Sequence, residues 1–270
     1  MRLIVTCALE RTTVFPVNHQ QQLAGAAYGF LHDSDPDYAR FLHDEGYAGG
    51  AGSRRYKLFT FSGLRVPKQR RRIKGDRLWL SAGPVEWIVS SPCASFLTHF
   101  ATGLLSSGGL RVGNVLLPVV QAQTCPVPDF TEGTARFTCL TPLVASRPVP
   151  ASEGGGKYYL RPSDGIAFSE ALRNNLLRKY MALHGKPPVA GEDSFAMTFD
   201  AEYLARNAYG GTKKITFKGI EVIGALAPFT VTGSQSLIAL GYEAGFGELN
   251  ASGFGMVELQ NISCEERSNA

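Results

Sequence analysis

Between Gly241 and Val257 the chain reads GYEAGFGELNASGFGMV, and this segment restricts the fold more than any other. Gly245, Gly247, Gly253 and Gly255 fall within eleven residues and form two Gly-Phe-Gly triplets eight positions apart. Glycine reaches positive φ at no steric cost, so such a run makes turns or bulges rather than a regular helix. No Gly-Lys-Ser/Thr follows, which excludes a P-loop, and Asn250 stands where the dinucleotide fingerprint requires a third glycine. A tight turn accounts for one or two of the four glycines and leaves the others over. The remaining reading is close approach of backbone N–H groups to a phosphate chain.

Upstream, the pattern of elements repeats. MRLIVTCALER alternates Leu3, Val5, Cys7 and Leu9 on one face and ends at Glu10 and Arg11, which predicts a first strand rather than a signal segment. Asn18 is placed to cap a helix to about Leu31, with Leu23, Ala27, Phe30 and Leu31 on its apolar side. Ser34 is the expected cap of a second short helix with Pro36 in its first turn. The loop from Gly46 to Ser53 is half glycine and is expected to be flexible. Strands are expected at Tyr56–Ser62, Arg77–Ser81 and Val85–Ser90, a helix from Pro92 to Leu105, and a strand from Val115 to Gln121. That is β-α-β-β-α-β, a ferredoxin-like order. After the proline-rich TCPVPDFTEG the order begins again. A strand at Ala135–Leu143, a helix at Gly165–His184 and strands at Ser194–Phe199, Lys213–Phe217 and Gly219–Leu226 follow. A helix near Ser234–Leu240, the glycine segment and a strand at Gly255–Gln260 complete it. The fold class is therefore α+β: tandem ferredoxin-like domains, residues 1–126 and 127–270, with antiparallel sheets and helices on one face.

Hydrophobic residues make up 44% and charged residues 19%, an ordinary globular composition, and no apolar run of about 18 residues predicts a membrane span. The net charge of +4 names no partner by itself. Cys7, Cys93, Cys125, Cys139 and Cys264 are odd in number and form no C-x-x-C pair. Small core residues in a reducing cytosol, with neither zinc nor disulfides, is the reading.

Of five histidines, His99 sits in an apolar helix and reads as structural, and His184 suits a helix C-terminus. His19 and His32 lie at the ends of the first helix and are open to either role. Asp33, Asp35, Asp37, Asp44 and Glu45 cluster around His43 and raise a magnesium site, but Asp35 and Asp37 flank a proline at a helix start and serve the helix dipole.

Three stretches together, NHQQQLAGAAYGFL, FLHDEGY followed by YKLFTFSGL, and the C-terminal glycine segment, resemble the Cas-six family of the RAMP superfamily, endoribonucleases that cut CRISPR repeat transcripts into guide RNAs. The match touches both halves of the chain in order. The resemblance implies cleavage without metal or cofactor by attack of a ribose 2′-OH on the adjacent phosphorus, leaving a 2′,3′-cyclic phosphate and a 5′-OH. Its catalytic trio falls on Tyr28, His43 and Lys57. Histidine serves as base or acid near neutral pH, lysine supplies compact positive charge, and tyrosine a donor. Tyr28 also has the plain reading of a helix residue packed on the sheet. The resemblance further implies repeat RNA as partner, effector-complex proteins and a homodimer as further ones, and a prokaryotic cytoplasm. The alternative is a subunit that binds repeat RNA without cutting it.

Beside that resemblance the basic residues acquire a use. VPKQRRRIKGDR carries Lys68, Arg70, Arg71, Arg72, Lys74 and Arg77 against one acid, Asp76; alone it reads as a solvated hairpin loop, and with a nuclease it becomes a phosphate clamp. Lys213 and Lys214 form a second patch, and Arg54 and Arg55 flank Lys57. No aromatic RNA-recognition motif is present, so reading by stacked bases is not expected.

Overall fold

The structure, a computed structural model, describes residues 1–50, 54–217 and 219–260. β1 (Arg2–Leu9) buries Leu3, Val5, Cys7 and Leu9, as its alternation requires. β2 (Thr13–Pro16) leads into α1 (Gln20–Ser34) and α2 (Pro36–Arg40), which runs on into one π-helical turn, Phe41–Glu45. A hairpin of β3 (Tyr47–Ala48) and β4 (Arg55–Tyr56) precedes β5 (Thr60–Phe61), β6 (Arg71–Lys74), β7 (Arg77–Leu80) and β8 (Gly83–Ser90). α3 (Ala94–Ser106), β9 (Leu110–Val112), β10 (Val115–Leu117) and β11 (Val119–Cys125) complete the first half. Its main sheet has the order β11-β1-β8-β5, antiparallel throughout. With α1 and α3 as crossovers, this is the ferredoxin-like arrangement. The two helices touch closely because Gly103 has no side chain: a Cβ there would lie 1.8 Å from the Phe30 carbonyl oxygen.

The second half repeats the plan. It comprises β12 (Thr134–Cys139), β13 (Ser146–Pro148), β14 (Lys157–Tyr159), α4 (Gly165–His184), β15 (Phe195–Phe199) and α5 (Ala201–Arg206). β16 (Thr212–Phe217), β17 (Ile220–Ala225), β18 (Phe229–Gly233), α6 (Gln235–Ala244) and β19 (Val257–Leu259) follow. The sheet order β15-β18-β12-β19 matches the first sheet position for position, with β12 and β18 at its centre. Each half has its own core, Trp87, Phe96 and Phe100 anchoring one and Phe137, Phe168 and Phe229 the other. Polar groups fasten the halves. Arg2, almost fully buried, lies 3.4 Å from the centre of the Tyr242 ring and donates to the Tyr242 carbonyl at 3.0 Å. Thr60 Oγ1 donates to the Phe254 carbonyl at 3.0 Å.

Local expectations needed correction where side chains outside the pattern decide. His19, not Asn18, holds the cap position of α1, and it makes no side-chain cap. Its buried ring instead bridges the Pro16 carbonyl and the Leu64 N–H, both at 3.0 Å, so His19 is a structural brace. Asp35, not Ser34, caps α2 by accepting from the N–H groups of Asp37 and Tyr38. Within the Gly46–Ser53 segment, Tyr47 and Ala48 pair with Tyr56 and Arg55 in a hairpin, and Ala51, Gly52 and Ser53 lie outside the described residues. The basic run is no loop: Arg71–Lys74 pairs with Arg77–Leu80 in a three-stranded sheet ordered β2-β7-β6. β18, a central strand, was not anticipated, and β16 and β17 form a separate hairpin. Cys7, Cys93, Cys125 and Cys139 are free thiols, and Cys264 lies outside the described residues. No helix among the described residues is long and apolar enough to cross a membrane.

Candidate active site

A cleft of about 690 Å³ opens between the halves. One wall is α1, the π-helical turn and residues 54–59; the other is α4 and the glycine-rich loop. Tyr28, His43 and Lys57 come from three separate segments and meet on the first wall. The rings of Tyr28 and His43 stand edge to face with centroids 5.4 Å apart, and Tyr28 packs likewise on Phe59 at 5.9 Å. Lys57 Nζ donates to the backbone carbonyl of His43. The π-helical turn inserts one extra residue into its ring of hydrogen bonds and turns the His43 side chain, 68% exposed, toward solvent.

His43 Nδ1 lies 2.7 Å from Asp44 Oδ1. A carboxylate only accepts, so Nδ1 carries the proton and, in neutral imidazole, the Nε2 lone pair is left to take one. Burial, with the neighbouring Tyr38 phenol, pushes Tyr28 up to about 12, so its hydroxyl remains a neutral donor through the physiological range. Burial lowers Lys57, and the Asp44 carboxylate opposes that shift. A base, a neutral donor and a cation thus share a few ångströms of wall.

Among the described residues, only Leu58 and Leu249 are non-glycine residues with positive φ, at 53° and 59°, and both line the cleft. Such backbone costs about 1–2 kcal/mol for a branched residue and persists only where its surroundings fix it.

The glycine-rich loop is built differently from its sequence reading. Gly245, Gly247, Gly253 and Gly255 all have positive φ, between 76° and 85°, and all are buried. A Cβ at Gly247 would lie 2.3 Å from the Val144 carbonyl oxygen, and one at Gly255 would lie 2.1 Å from that of Phe246. Each glycine therefore has a requirement inside the protein, and a turn explains all four rather than one or two. Their N–H groups are partly spent too: Gly253 donates to Asn250 and Gly255 to Pro142. Of the four, Gly247 lines the cleft together with the tip, Glu248 to Ser252, whereas Gly245, Gly253 and Gly255 do not.

Lys179 holds that loop. It is 2% exposed and donates to the Gly245 carbonyl at 2.6 Å, the Gly247 carbonyl at 2.9 Å and Asn250 Oδ1 at 2.7 Å. Three acceptors call for three N–H groups, which only the ammonium supplies. Burial works against that form and lowers Lys179 to about 7, with Glu248 pulling the other way.

Arg54 and Arg55 line the cleft beside Lys57. Lys68, Arg71, Arg72, Lys74, Lys213 and Lys214 do not; Lys214 is paired with Glu221 at 2.7 Å. Arg70 is occupied, its guanidinium donating to the carbonyls of Pro84 and Ser81 at 2.7 and 2.8 Å. Lys157, Asn175 and Lys179 reach the cleft and were missed in the sequence. A signal existed for two: α4 buries Phe168, Leu172, Asn175, Leu176 and Lys179 on one helical stripe, so an amide and an amine stand at core-facing positions.

Fold and cleft define a protein of two ferredoxin-like halves with a titratable groove between them. Comparison narrows this. Residues 14–123 match the model described as CRISPR-associated protein Cas6, N-terminal, and residues 125–259 match CRISPR associated protein Cas6, C-terminal. A curated relative from Methanocaldococcus jannaschii, named CRISPR-associated endoribonuclease Cas6 1, is 34% identical, covering 95% of this chain and 92% of its own. A relative of the same activity name from Pyrococcus furiosus is 27% identical over 93% of this chain and 86% of its own. A solved structure titled CRISPR associated protein Cas6 superimposes with a TM-score of 0.74 at 32% identity, covering 96% of this chain and 98% of that one. The chain belongs to the Cas6 family.

Proposed function

We propose that this chain is an endoribonuclease that cuts CRISPR repeat RNA into guide RNAs, without a metal ion, by 2′-OH attack. One observation carries the mechanism: Tyr28, His43 and Lys57 converge from three segments on one wall of the cleft between the halves. His43 Nε2, oriented by Asp44, takes the 2′-OH proton as the ribose oxygen attacks phosphorus. Lys57 meets the charge gathering on the phosphorane, and the neutral Tyr28 hydroxyl donates to a phosphate or leaving oxygen. The 5′ oxygen departs with a proton from solvent water, leaving a 2′,3′-cyclic phosphate and a 5′-OH, and His43 releases the proton it took back to solvent.

Arg54, Arg55 and Lys157 supply phosphate contacts along the cleft. The loop tip supplies the facing wall, and the four glycines let that loop fold. Lys68, Arg71, Arg72 and Lys74 hold RNA beyond the cleft, giving an affinity that falls with salt. The deciding experiment incubates the protein with its repeat RNA in EDTA and determines the product ends. Cyclic phosphate and 5′-OH ends are expected; loss of cleavage in EDTA, or cleavage of RNA with a 2′-deoxy sugar before the cut, overturns the mechanism.

A further inference from the structure

The outer face of the small sheet β2-β7-β6 holds a feature that the cleft does not use. Its register sets Arg72 opposite Trp79 and Lys74 opposite Arg77, with Val14 on the other side of Trp79. Directly opposed residues share a face, and successive residues alternate. One face therefore buries Phe15, Leu78 and Leu80, and the other presents Trp79 among Arg72, Lys74 and Arg77. Trp79 is 44% exposed, whereas Trp87, the other of the chain's two tryptophans, is fully buried.

Arginine and lysine on an exposed edge strand would discourage pairing between molecules. That need accounts for the cations of β6 but not for an indole on the central strand β7. Nor are the cations of β6 neutralised: among the described residues, Arg71, Arg72 and Lys74 have no carboxylate partner, whereas Arg77 on β7 faces Asp76 at 3.7 Å and Arg136, Arg173 and Lys214 each have a partner as well. A depression of about 450 Å³ lies between Trp79 and this basic edge. An exposed aromatic plane among unpaired cations suits a single nucleic-acid strand, a base stacking on the ring while phosphates meet the cations.

We propose that Trp79 is a stacking platform for an unpaired base of the RNA substrate, with Arg72 and Lys74 holding its flanking phosphates, at a site separate from the cleft. The identity of the RNA rests on the nuclease reading; the platform itself does not. Arg70 clamps this sheet to the Gly83 end of β8, and the cleft wall starts at the Ser90 end, where Thr60 pairs. Seven residue steps of strand separate the ends by about 23 Å, some seven nucleotides at the stacked rise of 3.4 Å. The platform therefore holds RNA well away from the cut.

The test uses the full-length protein and a single-stranded oligouridylate of about twelve nucleotides, which covers one binding site. Because Trp87 is buried, RNA reaching the platform should quench only the Trp79 part of the emission. In Trp79→Phe the quench should vanish while affinity changes little. Trp79→Ala should weaken binding about 5- to 150-fold, the value of one stacked base. Arg72→Gln with Lys74→Gln should lower the slope of log affinity against log salt by about 1.4. Wild-type protein that binds the oligonucleotide with unchanged tryptophan emission, or Trp79→Ala binding as tightly as wild type, overturns the platform. Those results would assign the indole to a protein partner or to none. The nuclease reading is judged apart, on repeat RNA: Trp79→Ala should still cut at saturating RNA. Cutting without a quench leaves the nuclease and removes the platform, and a quench without cutting does the reverse.

Discussion

Lys179 Nζ lies 2.7 Å from Asn250 Oδ1, tying the middle of a helix to a loop 71 residues further along the chain. Asn250 passes the restraint on, its amide donating to the carbonyls of Phe246 and Phe254 at 3.2 and 3.0 Å. One ammonium and one amide thus set the shape of the loop that faces His43 across the cleft.

Replacing Lys179 with methionine keeps the volume and strands three buried acceptors. An orphaned buried acceptor costs about 1–3 kcal/mol, and part of the sum is offset because no ammonium is then buried. A net loss of roughly 2–4 kcal/mol in urea unfolding is expected. A double-mutant cycle with Asn250→Ala should return a coupling of about 0.5–3 kcal/mol, and simple additivity would refute the linkage. The amine also has a pH signature. Its value falls from the ordinary 10.5 to about 7 on folding. Between those values the unfolded chain holds a proton that the folded chain has lost, so Lys179 makes stability rise with pH across that window and contributes no slope below it. Lys179→Met should remove that slope.

His43→Ala should lower the cleavage rate about 10²- to 10⁴-fold, the usual worth of a positioned general base, with RNA affinity within twofold of wild type. Asp44→Ala should cost less, since it frees the ring to turn without removing it. Single-turnover cleavage and filter binding on the same RNA separate the two effects. A His43→Ala protein that cuts at the wild-type rate would place the base elsewhere.

Cleavage should also fail on the alkaline side below the ordinary lysine range. Burial lowers Lys57, and the reaction needs it charged, so the rate drops as pH rises through that lowered value. Lys57→Arg keeps its charge at any accessible pH and should extend the active range upward, even if its maximum rate is lower. Tyr28 contributes no limb below about pH 12. A limb that stays in place in Lys57→Arg would assign it to another group.

How much of this was legible depended on whether a residue's role was local. The alternation of β1 and the apolar stripe of α4 announced themselves, because burial on one face imposes a period. β18 did not: FTVTG is five residues long and follows a proline, and only its two neighbours make it a central strand. The trio was legible only through motif likeness, since nothing local shows that Lys57 will reach the His43 carbonyl 14 residues back. The glycines were read as serving a ligand because their internal partners, the carbonyls of Val144 and Phe246, are set by tertiary packing.

That last difference can be measured. Gly255→Ala must force a methyl group against the Phe246 carbonyl at positive φ, and a loss above about 2 kcal/mol is expected. Gly154 has a similar φ of 97° and open space around its missing Cβ, so Gly154→Ala should cost only about 1 kcal/mol. If the glycines served RNA alone, both proteins would melt alike and differ only in binding.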